Sequence, residues 1–151
     1  MMKKALSSTL SLLGAGLLPF IPGALLNWLL LTAPGLLPFL PWLGLLLLLA
    51  WGYLAFRLSD ARKPLLPQAL LMNTVALLML MLSLVQALVV GTYWPNLAGM
   101  APQIYFLPWT SLASRVLAFL LKVVQTWLVH VVCWMGLFLA SCIGCRAGKA
   151  Q

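Results

Sequence analysis

Two basic side chains, Arg115 and Lys122, lie in the last long apolar stretch of the sequence, where charge is costly. They are seven residues apart, which places them two turns apart on one face of a helix. A charge at the centre of a membrane span costs about 2.5–3.5 kcal/mol on insertion scales. Asp60, the sole acidic residue, is distant in the sequence. An inward-facing pair would therefore need an anionic ligand, a lipid phosphate, an acid of a partner, backbone carbonyls or a neutral lysine. We expect a site for an anion or an anionic lipid near the outer leaflet, with Gln125 and Gln86 as candidate neighbours.

The same two cations have a second interpretation. If the span begins after them, residues 123–143 still supply the roughly 20 apolar residues that a bilayer core needs. Because helical side chains lean toward the N-terminus, Arg115 and Lys122 would then reach the outer phosphates. The direction of the two side chains thus decides between a site inside the bundle and contact with anionic lipid headgroups at its surface.

His130 and the three cysteines could bind a metal ion or exchange electrons. Cys133 follows His130 by three residues, which suits one helix face, but no third ligand accompanies them. A histidine hydrogen-bonded inside the bundle is the alternative interpretation. Cys142 and Cys145 form a C-x-x-C pair, the spacing of thiol redox pairs and of half a zinc site. These four residues are the redox or metal candidates, although the sequence predicts neither a bound metal nor another cofactor.

The usual catalytic sets cannot be assembled from this composition. With a single acid, paired-carboxylate mechanisms are excluded. A Ser–His–Asp set would require Asp60 to meet His130, and the sequence predicts the first in a loop and the second within a span. The sequence therefore favours a protein that is not an enzyme, without deciding the question.

The elements that position these residues belong in a membrane. Of 151 residues, 64% are hydrophobic and 7% are charged, against about 25% charged in a soluble domain. Nine Lys and Arg residues give a net charge of +8, and most of them lie just outside the apolar runs. This distribution indicates topology signals and contact with anionic lipid rather than binding of nucleic acid.

The apolar runs predict an all-α integral membrane protein, with one transmembrane domain over residues 1–151 and four spans. The predicted spans cover residues 5–32, 36–56, 67–90 and 111–143. Pro19 and Pro22 lie inside the first span and predict a kink there. Residues 57–66 are predicted as an inner loop. Residues 91–110, which hold three prolines and several aromatic side chains, are predicted as an outer loop in the membrane interface.

Basic residues and tryptophans select the same orientation. With the N-terminus inside, the inner side receives seven cations, namely Lys3, Lys4, Arg57, Arg62, Lys63, Arg146 and Lys149. The positive-inside rule favours this arrangement. Four tryptophans then fall at the outer ends of the spans, namely Trp28, Trp42, Trp94 and Trp109. The predicted architecture is a four-helix bundle with both termini inside, in the cytoplasmic membrane of a bacterium.

Small residues predict two packing faces. The third span carries a face of small and weakly polar residues at spacings of four and three, namely Ala69, Asn73, Ala76, Leu80, Ser83, Ala87 and Val90. Gly136, Ala140 and Gly144 recur at every fourth position, which suits packing within the bundle or against a second copy.

These features predict a small multi-pass membrane protein that is a non-enzymatic accessory or interacting subunit. It would act through helix packing and lipid contact, with another membrane protein or a second copy as its partner. One alternative is a carrier or channel for a small anion or anionic lipid that uses Arg115 and Lys122. A second alternative is a thiol–disulfide redox membrane protein that uses Cys142 and Cys145.

Overall fold

The computed structural model describes residues 2–122 and 124–149, with the backbone alone described for residues 2–8, 34 and 36. The side chains of Lys3 and Lys4, which support the predicted orientation, lie outside this description. Every regular element in the described part is helical, which confirms the all-α prediction. The elements are α1 (Met2–Ala15), α2 (Phe20–Thr32), a 3₁₀ turn (Pro34–Phe39), α3 (Leu40–Leu58), α4 (Leu65–Met72), α5 (Thr74–Leu84), a π-helical turn (Val85–Val90), α6 (Leu97–Leu121) and α7 (Thr126–Lys149).

Four helical segments of the described chain are long and apolar enough to cross a membrane. They are Thr9–Thr32, Leu37–Leu58, Leu97–Leu121 and Thr126–Lys149. A further candidate, formed by α4, α5 and the π-helical turn, bends by 58° at Asn73. The structure thus supports a multi-pass membrane protein by helix length and hydropathy. The orientation, with both termini inside, stays a prediction.

Helix α6 is the largest departure from the predicted segments. The sequence predicts a loop over residues 91–110, yet α6 continues through Pro102 and Pro108. Neighbouring helices pack around both prolines, which are fully buried, and this packing makes prolines tolerable within an apolar helix. The helix starts after Asn96, whose Oδ1 accepts a hydrogen bond from Gly99 N at 2.8 Å. The loop prediction is therefore wrong over most of its length.

The predicted span 111–143 is also divided in the structure. Helix α6 ends at Leu121, Lys122 has a left-handed backbone with φ 54°, and α7 begins at Thr126. No glycine or proline marks this break in the sequence, and a β-branched residue such as Val124 disfavours a helix only slightly. The continuous helix face predicted to carry both cations therefore does not form.

Four residues in turns, 16–19, separate α1 from α2. Pro22 lies in the first turn of α2, where a missing N–H costs little. The Tyr105 hydroxyl of α6 donates a hydrogen bond to the carbonyl of Gly16 at 3.0 Å, so the interruption is held by a partner helix. The angle of the predicted proline kink stays a prediction.

Helices α3 and α7 form the most extensive helix pair, and they run in the same direction. The contacting pairs, in order along both helices, are Gly136 with Leu48, Ala140 with Gly52 and Gly148 with Ser59. The end of the bundle that holds the starts of both helices is called here the Leu40 end. The opposite end, where both helices finish, is called the Ser59 end.

Helix α6 packs against α2, α3, α5 and α7. Its buried side chains include Tyr105, Phe106, Trp109, Ala113 and Leu117. Glycines on two neighbours permit close backbone contact. Gly23 of α2 lies against the Ile104 carbonyl, and a Cβ on Gly44 of α3 would lie 2.7 Å from the Pro108 carbonyl oxygen.

The predicted small-residue face of the third span is buried at its first five positions. These are Ala69, Asn73, Ala76, Leu80 and Ser83. In the π-helical turn the burial departs from the predicted face: Gln86 is buried, Ala87 is half-buried and Val90 is exposed.

Candidate functional site

The residues of the predicted anion site do not surround a pocket. Arg115, Lys122 and Gln125 are exposed around the turn between α6 and α7. Gln86 is fully buried, and its Oε1 accepts a hydrogen bond from Trp94 N at 3.2 Å. The structure thus groups three of the predicted residues at the surface and separates the fourth from them. A role of these residues in binding an anion stays a prediction.

The turn between α6 and α7 protrudes from the bundle. Leu117 is buried, whereas every described side chain from Ala118 to Thr126 is exposed. Four of them are large and apolar, with exposed fractions of 86% for Phe119, 66% for Leu120, 57% for Leu121 and 53% for Val124. Residues 115–122 and 124–126 are called here the tip. Its mixture of exposed apolar and basic side chains is typical of a surface at the boundary between bilayer and water.

His130 is buried and makes contacts with two other helices. Its Nδ1 lies 2.6 Å from Ser83 Oγ on α5, and its ring stacks on Phe106 of α6 with 5.0 Å between the ring centroids. A serine beside a histidine is also the arrangement of a nucleophile and its base. Here both side chains are buried, and the hydrogen bond together with the stacking on Phe106 joins α5, α6 and α7. This is the environment that the interpretation of a hydrogen-bonded histidine requires.

The three cysteines are all free thiols. Cys145 is buried and its Sγ lies 3.9 Å from the Ala55 carbonyl oxygen, while Cys142 is half-buried. Cys133 is buried about 13 Å from Cys142 along the axis of α7, toward the Leu40 end. In the described part of the chain, no three His, Cys, Asp or Glu side chains form a group that could hold a metal ion. Cys142 and Cys145 lie one turn apart on α7, but the structure brings no three of the four redox or metal candidates together.

A buried polar cluster that sequence reasoning missed joins α3, α7 and the bend between α4 and α5. Ser141 Oγ accepts hydrogen bonds from Trp51 Nε1 at 3.0 Å and Asn73 Nδ2 at 2.8 Å, and it donates to the Leu137 carbonyl at 2.9 Å. These bonds use the full capacity of the hydroxyl. Asn73 Nδ2 also donates to the Ala69 carbonyl at 2.8 Å. Each of these polar side chains stands in a different apolar run of the sequence, but pairing them required the fold.

Three apolar cavities lie along α3. One of about 260 Å³ separates α2 from α3 beside Trp109, and one of about 160 Å³ lies between α3, α6 and α7 beside Cys133. The largest of the three, about 450 Å³, is a groove between α3 and α7. Every side chain that lines this groove is apolar, and Gly52, Gly136, Ala140 and Gly144 are among them. None of the three cavities is lined by His130 or by the cations of the tip.

Comparison with known protein families, with curated proteins and with solved structures finds no match to this chain. The features of this chain that bear on function are an apolar groove between α3 and α7, a protruding tip with two cations, and buried polar contacts that connect the helices.

Proposed function

We propose that this protein is a non-enzymatic membrane subunit that packs its α3–α7 face against a transmembrane helix of another chain. The groove between α3 and α7, about 450 Å³ in volume, is the observation that carries the proposal. The half-buried small residues in its wall, namely Gly52, Gly136 and Ala140, allow the backbone of a neighbouring helix to approach closely, which is how helices associate in lipid. Both helices of the groove are long and apolar enough to cross a bilayer.

The shape of the groove suits a helix better than a compact ligand. Its small residues on α7 extend from Gly136 to Ala147, which is about 16 Å along the helix axis. Beside them, Leu139 and Ile143 form an exposed ridge one turn apart. A neighbouring helix would seat its side chains between this ridge and α3. A polar ligand would find no hydrogen-bond partner among the apolar lining side chains.

The residues that could carry chemistry support a non-enzymatic role. Asp60, the sole acidic residue, lies at the Ser59 end, where its Oδ1 accepts a hydrogen bond from Arg62 N at 3.0 Å. His130 lies near the Leu40 end, bonded to Ser83. In this proposal the Ser59 end faces the inside, because it carries most of the basic residues. Arg115 and Lys122 line none of the three cavities described above, which disfavours the anion carrier, and burial of the Cys145 thiol disfavours redox exchange.

Site-specific photocrosslinking in the membranes of the producing cell tests the proposal. A photoreactive phenylalanine analogue replaces Ile143 on the groove ridge, and Leu78 on α5 is the matched control position. Both side chains are well exposed, at 70% and 59%. The Ile143 position should give a discrete protein adduct, of twice the chain mass if the partner is a second copy. The Leu78 position should give lipid adducts alone.

Two results would contradict the proposal. The first is an equal yield of protein adducts at the two positions, or none at Ile143. The second is a purified chain that stays monomeric in bilayers and carries out transport without any partner.

A further inference from the structure

Helix α6 begins and ends at the same end of the bundle. Its start lies beside the π-helical turn, because Gln86 accepts a hydrogen bond from Trp94, just before the helix begins. Its end is joined by a short turn to the start of α7, where His130 contacts Ser83 of α5. Ser83 and Gln86 are three residues apart. Both ends of α6 therefore lie near the Leu40 end.

The length of α6 makes this arrangement informative. Its 25 residues extend about 37 Å, more than the roughly 30 Å of a hydrocarbon core. Phe106 precedes the end of α6 by about four turns, so an antiparallel hairpin with α7 would bring it near Ser141. Instead Phe106 stacks on His130, about one turn into α7. Helix α6 therefore crosses the start of α7 steeply, and its last turns leave the bundle, in agreement with the exposure of the tip.

The cations of the tip have no acidic partner at their end of the bundle. Arg115 and Lys122 are both exposed and lie about 10 Å apart along the chain. Asp60, the sole acidic residue, lies at the opposite end, where its backbone N–H donates to Gln68 Oε1 at 2.7 Å. Exposed apolar side chains surround the two cations, and such side chains are unfavourable in water. Within the described residues the charge of the tip thus has no acidic side chain to pair with, and its surroundings are apolar.

We infer that the tip is a membrane-interface anchor in which Arg115 and Lys122 bind the phosphate groups of anionic phospholipids in the leaflet at the Leu40 end. Phe119 and Leu120 enter the acyl region beside the phosphates, so a lipid satisfies both the charge and the apolar surface. A soluble anion would satisfy the charge alone. The anchor is independent of the groove between α3 and α7, and it accounts for α6 as a helix that returns to the interface rather than crossing the bilayer.

Lipid quenching measured at the tip tests this inference on the full chain. A fluorophore is attached to Gln125→Cys, and its quenching by nitroxide-labelled phosphatidylglycerol is compared with that by nitroxide-labelled phosphatidylcholine in reconstituted vesicles. Because basic residues near a charged surface each contribute to lipid binding, removal of each cation should lower the preference for phosphatidylglycerol by about fivefold at low salt. The effect should shrink as salt is added.

Two pairs of substitutions distinguish the charge of the tip from the basic charge at the Ser59 end. Arg115→Gln with Lys122→Gln removes the tip charge, and Arg146→Gln with Lys149→Gln removes the same charge from the Ser59 end. The first pair should abolish the preference sensed at the tip, the second should leave it unchanged, and Arg115→Lys with Lys122→Arg should restore it. An unchanged preference in the first pair would overturn the inference. So would a preference removed by inorganic phosphate but not by chloride of equal ionic strength, since the ligand would then be a soluble anion.

Discussion

Substituting Gly144 by alanine tests the closest contact between α3 and α7. A Cβ at position 144 would overlap the backbone carbonyl of Gly52, and it would also lie 2.9 Å from the Ala55 Cβ. Neither atom belongs to a flexible side chain, so the two helices must separate to admit the methyl group. Gly136, two turns earlier on α7, is the matched control. A Cβ there would meet the Leu48 Cδ1 at 3.9 Å, which is an ordinary contact.

The expected magnitude follows from two opposing effects. Replacing glycine by alanine within a helix stabilises it by up to about 1 kcal/mol, and this gain applies at both positions. Overpacking a well-packed contact costs about 1–3 kcal/mol, and this cost applies at position 144 alone. The gain in helix propensity is common to both variants, so it cancels when their free energies of unfolding are compared. Gly144→Ala should therefore be less stable than Gly136→Ala by about 1–3 kcal/mol.

The free energy of unfolding can be measured by titrating the protein from a mild detergent into mixed micelles with a denaturing detergent, with helix content followed by circular dichroism. The wild-type chain should lie between the two variants, or close to Gly136→Ala. If the two variants differ by less than about 0.5 kcal/mol, α3 and α7 do not pack in the register described here, and the reasoning fails.

Three further predictions concern the path of α6 and the buried polar contacts. Cysteines introduced at Thr92 and Gln125 should react with an impermeant thiol reagent from the same side of sealed vesicles, and a cysteine introduced at Arg62 should react from the other side. If Gln125→Cys and Arg62→Cys instead react from the same side, α6 crosses the membrane. Ser141→Ala leaves both Trp51 Nε1 and Asn73 Nδ2 without the serine as acceptor, so it should lower the free energy of unfolding by about 1–2 kcal/mol. The control Thr32→Ala removes only exposed hydrogen bonding within one helix and should change the free energy of unfolding by less than about 0.5 kcal/mol. Equal effects of the two substitutions would argue against the cluster. Ser83→Ala should cost about 1 kcal/mol in the same titration because it leaves His130 Nδ1 unpaired, and an unchanged stability would show that the contact contributes nothing.

The sequence predicts the apolar helices well where composition alone decides them. The second predicted span, 36–56, corresponds to the 3₁₀ turn and α3, and the loop after it is found between Leu58 and Leu65. The small-residue face of α4 and α5 is also buried as predicted as far as Ser83. In each case a local pattern, either hydrophobicity or helical spacing, was sufficient because no competing signal was present.

The sequence fails where a tertiary contact overrides a local signal. Pro102 and Pro108 indicate a loop, but they lie inside α6 because three or more neighbouring helices pack around this segment. The cap at Asn96 was the one local sign that a helix begins there. The break at Lys122 carries no turn residue at all. The position of this break was therefore not predictable from the sequence. The grouping of the candidate anion-site residues, which depends on the break, was not predictable either.

The parallel pairing of α3 with α7 also constrains how the chain can be assembled. Trp51 and its partner Ser141 are 90 residues apart in the sequence, so α3 is synthesised and inserted long before its main neighbour exists. During that interval the small residues around Gly52 face lipid or any other helix that diffuses past. Insertion order thus leaves the first half of the bundle open to foreign helices.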